Sequence, residues 1–179
     1  MDFCAVNWGY VKDIIVALIS AGIPSFVAWK IYKRWKVQKG SEVIACEAKN
    51  IFYDVCEHRK HLDYLLNYEI SNKQALTSFN HIDDLIIKIN DQISFLCENI
   101  TDTKHKNSLE TYQRSISKLH DHINKIMDGY DDNNLVNSIV EIRESLEKNL
   151  DKPDSYFKNY KHSLAKVKLV LSEISLYNF

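Results

Sequence analysis

From Ser41 to Asp128 the chain contains neither glycine nor proline, and over that length its apolar residues recur at spacings of three and four. Glycine and proline are the residues a helix interior tolerates least, and a three-and-four spacing gathers apolar side chains on one helical face. An unbroken run of this kind folds into long amphipathic helices. All four glycines (Gly9, Gly22, Gly40, Gly129) and both prolines (Pro24, Pro153) fall outside it. With glycine so sparse, neither a phosphate-cradling Walker loop nor a dinucleotide fingerprint can be written, which removes two large enzyme classes.

Gly40-Ser41 has the form of a helix stop followed by an N-cap, and five apolar seams come after it. Ile44, Ala48, Ile51, Val55, His58, Leu62 and Leu65 form the first. Ala75, Phe79, Ile82, Ile86, Ile89, Ile93, Leu96 and Ile100 form the second, and Leu85, Ile87 and Phe95 widen it, which marks that helix as the central one. Leu109, Tyr112, Ile116, Leu119, Ile123 and Ile126 give a third; Val136, Ile139, Arg143, Leu146 and Leu150 a shorter fourth, stopped by Pro153; and Phe157, Tyr160, Leu164, Val167, Leu171 and Ile174 a fifth. Short connections force neighbouring helices to run in opposite directions. The expectation for residues 41–179 is therefore an all-α, five-helix antiparallel bundle with heptad-like seams, preceded by a distinct segment, residues 1–40.

That segment holds sixteen residues without a formal charge, Ile14 to Trp29, about 24 Å of helix at 1.5 Å per residue. Lys12 and Lys30 can snorkel from its ends. Trp8 and Tyr10 on one side and Trp29, Tyr32, Arg34 and Trp35 on the other are of the types that anchor a span at membrane interfaces. Together they extend the reach toward the hydrocarbon thickness of roughly 30 Å. A cleaved secretory signal would place bases before the apolar run and small residues after it, whereas Met-Asp-Phe opens this chain and Lys-Ile-Tyr-Lys-Arg-Trp-Lys follows the run. The expectation is a single transmembrane helix. Lys30, Lys33, Arg34, Lys36 and Lys39 follow it, against Asp2, Lys12 and Asp13 before it. The positive-inside rule then puts the N-terminus outside and the remainder in the cytoplasm, at the cell's inner or plasma membrane.

Charge divides along the same line: residues 1–40 carry six Lys/Arg against two Asp, and residues 41–179 carry seventeen against twenty-two acids. A mildly acidic body argues against duplex nucleic acid as a partner. Cys4, Cys46, Cys56 and Cys97 form no C-x-x-C pair, and Cys46 and Cys56 would share one helix too far apart to bond, as suits a reducing compartment.

Within the span, Ala17, Ala21 and Ser25 recur every fourth residue, with Ala28 beyond, a small-residue face that lets two helices approach closely. Pro24 removes one backbone hydrogen bond and offers a bend. In the body, Glu57 and His61 share a helix face, as do Asp54 and His58, but two ligands do not make a metal site. His58 in its seam is better explained as a core histidine with one hydrogen-bond partner. His120-Asp121 lacks the further ligands of a helical metal phosphohydrolase, and the loop Asp128–Asn134 does not follow EF-hand order. No metal and no cofactor are expected. The fifth seam's helix carries Lys158, Lys161, Lys166 and Lys168 without an acid. Tyr156, Lys158, Tyr160 and Lys161 are the candidate residues for a nucleotide-like anion, ammonium on phosphate and ring under base. Complementarity with six acids on the fourth helix explains the same lysines more simply.

In layout the chain resembles membrane effectors of bacterial antiviral defence, in which a cytoplasmic domain takes a signal and a short anchor perturbs the bilayer. That resemblance implies a non-enzymatic protein that associates with copies of itself or with a helical partner, with Ala17, Ala21, Pro24 and Ser25 carrying the membrane step. The competing expectation is a passive tether whose seams recruit a partner protein.

Overall fold

The computed structural model describes residues 8–130, 134–148 and 155–176, with the side chains of Trp8, Glu147 and Lys148 left aside. Five helices are described: α1 (Trp8–Asn67), α2 (Asn72–Asn99), α3 (Thr103–Met127), α4 (Leu135–Lys148) and α5 (Tyr156–Leu176). No strand occurs among the described residues. By compactness the chain divides into two units, the first ending at Glu42 and the second beginning at Val43.

The anticipated stop at Gly40-Ser41 is absent, because α1 runs straight through it. Ser41 does not cap: its hydroxyl donates back to the Val37 carbonyl at 3.2 Å. Lys39 Nζ meets Glu42 at 2.7 Å and Gln38 Nε2 reaches the same carboxylate at 3.3 Å. These contacts brace the turn across Gly40, whose φ stays out of the left-handed region. The apolar segment and the first bundle helix are thus one element, and the described helices number five rather than six.

In the second unit, caps set the breaks. Ser71 and Gln74 form a capping box that opens α2. The Asp102 carboxylate accepts from the backbone N–H of Lys104 at 2.7 Å and of His105 at 3.3 Å, which opens α3 and holds that carboxyl below its ordinary pKa. Arg143 on α4 closes α1, its guanidinium donating to the carbonyls of Leu65 (2.7 Å) and Tyr68.

Pairings between helices fix their directions. Lys88 of α2 meets Asp54 of α1 at 2.9 Å. On α3, His120 pairs with Asp83 of α2 at 2.5 Å and Gln113 donates to the Asn90 carbonyl at 3.3 Å, so α2 and α3 are antiparallel. Just past α3, Tyr130 donates to Glu141 of α4 at 2.6 Å, and His122 of α3 meets Ser145 at 2.9 Å. His122 also packs on Tyr156 of α5 (5.5 Å between rings), and His105 meets Glu173 at 3.0 Å. Both α4 and α5 therefore run against α3 and in the same sense as each other. Strict alternation fails here because α4 has only fourteen residues. It stops beside the C-terminal part of α3, where α5 begins, with Ser145 and Tyr156 both against His122.

The seams of α2, α3 and α5 are buried almost as their spacing requires. Three expectations are corrected. Ile87 (63% exposed) and Phe95 (40%) lie on the solvent side of α2, so only Leu85 widens its seam. The central role passes to α3, which packs against α2, α4 and most extensively α5. On α4 the buried stripe is Leu135, Ile139, Ile142 and Leu146, and Val136 faces out. Leu150 and Pro153 lie outside the described residues.

Candidate functional site

The first unit presents its apolar surface without cover. Every described residue from Lys12 to Gly40 is exposed, including Ile14, Leu18, Ile19, Ile23, Phe26 and Val27. Soluble proteins rarely leave contiguous apolar patches beyond about a few hundred Å² in water. The polar atoms of this stretch are turned onto their own helix: Ser20 donates to the Ala17 carbonyl at 3.1 Å and Ser25 to that of Ala21 at 2.7 Å. Pro24 lies inside α1 without ending it. Ala17, Ala21, Ser25 and Ala28 are all exposed along one side. At the basic end, Trp29 packs on Phe26 at 5.9 Å and carries Lys33 Nζ over its ring at 4.2 Å, and Tyr32 lies 6.2 Å from Trp35. Arg34 is exposed among them. The Trp8 side chain is outside the described residues, as are Asp2 and Cys4.

The second unit has a polar knot in its core. His58, 2% exposed, has Nδ1 3.1 Å from the Tyr160 hydroxyl. Tyr160 in turn lies against Tyr112 (6.2 Å) and Phe157 (6.3 Å). Burial raises the pKa of both tyrosines. Neither phenol is placed to ionise near neutral pH, and the knot contributes hydrogen bonding and packing rather than acid–base chemistry.

The four candidate anion residues are not gathered into one place. Tyr160 is fully buried and has no free face for a base. Tyr156 is exposed and packs on His122. Lys158 is exposed, and Lys161 lays its ammonium over the Phe157 ring at 4.3 Å. Tyr156 instead lines an open cleft of about 290 Å³ between α3 and α5, with Arg114, Lys118, His162 and Lys166. Of the acids expected to complement α5, Asp131, Asp132 and Asp151 and the side chain of Glu147 lie outside the described residues, and Glu141 accepts from Tyr130.

One cluster escaped the sequence pattern. Glu57 and His61 of α1 share a face, as expected, and α2 brings His81 to them. The Glu57 carboxylate oxygen is 3.8 Å from Nε2 of each histidine, and the two imidazole rings are 4.4 Å apart. The spacing of α1 gives two of these residues, but the third depends on the register between two helices. No cysteine bridges occur among the described residues: Cys46 is exposed, Cys56 half-buried and Cys97 buried, all free.

Comparison with protein-family models, curated proteins and solved structures gives no match. The class defined by the fold is an all-helical protein with one described helix long and apolar enough to cross a membrane.

Proposed function

We propose that this chain is a non-enzymatic, single-pass protein of the inner or plasma membrane, its N-terminus outside and its helical bundle in the cytoplasm, acting as a membrane effector under control of the bundle. The observation that carries this reading is the uncovered apolar surface of Ile14–Trp29 with its serine hydroxyls turned onto their own backbone. A bilayer is the partner such a surface fits. The basic residues on the C-terminal side of the run supply the orientation. The small-residue face with Pro24 is where copies of the span would meet.

The tether reading is weakened by one fact: the seams it would offer to a partner are already buried in the bundle's own core. Two measurements on the untagged membrane fraction and on a C-terminal fluorescent-protein fusion test the anchor. The chain should stay in the pellet after alkaline carbonate extraction, and the fusion should fluoresce in a bacterial host. Release by carbonate, or a reporter active only on the far side of the membrane, overturns the proposal.

A further inference from the structure

The gap between Glu57, His61 and His81 has the dimensions of a metal site. Each oxygen-to-nitrogen distance of 3.8 Å exceeds a hydrogen bond, which spans about 2.7–3.2 Å. It lies close to the edge of a tetrahedron of zinc-type ligands, roughly 3.3–3.4 Å when metal–ligand bonds are about 2.0–2.1 Å. The ligand atoms of all three residues lie within 4.8 Å of one another. Small side-chain rotations would close them on one ion, since none of the three is fully buried. We propose that Glu57, His61 and His81 bind one divalent transition-metal ion of the zinc class, clipping α1 to α2.

Three further features fit this ligand. Two imidazoles with one carboxylate is a donor set that zinc takes, leaving a fourth position for water. The ligands come from two helices whose register is held independently by the Lys88–Asp54 pair at 2.9 Å, so the site is organised before the ion arrives. His61 also lines an open cleft of about 630 Å³ with Cys56, Lys60, Tyr64 and Ser78, which gives ion and water a route in.

The test uses the full, untagged chain in detergent, stripped of metal with a chelator and titrated with Zn²⁺ by calorimetry and Co²⁺ by absorption. One site with a Kd in the micromolar range or tighter is expected, with visible Co²⁺ bands of a low-coordinate nitrogen–oxygen site. At a hundred-fold excess over Kd, Zn²⁺ should raise the unfolding temperature by several degrees. His81→Ala and Glu57→Gln should each weaken binding by about 100-fold, while His162→Ala, on the exposed face of α5, should leave it unchanged. Both ligand side chains are part-exposed (43% and 52%), and metal-free unfolding temperatures establish that the variants fold. Should His81→Ala fail to fold, Glu57→Gln carries the test alone. Millimolar binding, wild-type binding by a folded His81→Ala or Glu57→Gln chain, or loss of binding in His162→Ala overturns the proposal.

Discussion

Burial, and then the charges of His120 and His61, lower the pKa of His58 from 6.5 to about 3, so its ring enters the core uncharged. Between those values the unfolded chain binds a proton that the folded chain refuses. The stabilisation is complete above pH 6.5 and is lost as pH falls toward 3, by about 1.4 kcal/mol per unit. Denaturant unfolding of the detergent-solubilised protein should therefore lose about 2 kcal/mol more between pH 7 and pH 5 than that of His58→Gln. Parallel pH curves for the two proteins would assign the acid sensitivity elsewhere. His58 was legible as a core residue because it keeps step with Val55 and Leu62. Tyr160 belonged to two patterns at once, the lysine-rich surface and the seam Phe157–Tyr160–Leu164. The seam prevailed because burying an aromatic ring outweighs what an exposed ring gains beside lysines in water.

At the scale of elements, spacing located nearly every buried face and failed at one helix break and at the register between helices. A glycine–serine pair looks like a terminator, yet without a following loop-former the helix continues, its turn braced by Lys39–Glu42. A Cβ added at Gly40 would meet nothing within 4 Å. Gly40→Ala should then stabilise this part of α1 by about 0.5–1 kcal/mol, seen as slower amide exchange in residues 37–44. Unchanged or faster exchange would mean that the helix is interrupted there. The direction of α5 and the meeting of His81 with Glu57 and His61 were not legible, because both depend on how far one helix slides along another. A helical period fixes which face is buried; register comes from pairs such as Asp54–Lys88 and Asp83–His120, and those pairs carry no local signature.

For the molecule as a whole, packing gives one unit ending at Glu42 that carries an uncovered apolar run followed by bases, and a second, mildly acidic unit whose seams are satisfied internally. An effector and a tether can share that division, and they differ in whether the identity of the span matters. For an effector the face of Ala17, Ala21 and Ser25 has to fit a second copy, and a leucine there forces the backbones apart. Overpacking of this kind costs about 1–3 kcal/mol, on the order of ten- to hundred-fold in association. Expression should depolarise cells, as read by a potential-sensitive dye, and Ala21→Leu should abolish most of that response at unchanged membrane level. Exchange of residues 12–30 for an unrelated transmembrane helix should abolish it as well. A response that survives both changes would leave the span no role beyond attachment, and the bundle would then act as a cargo held at the membrane.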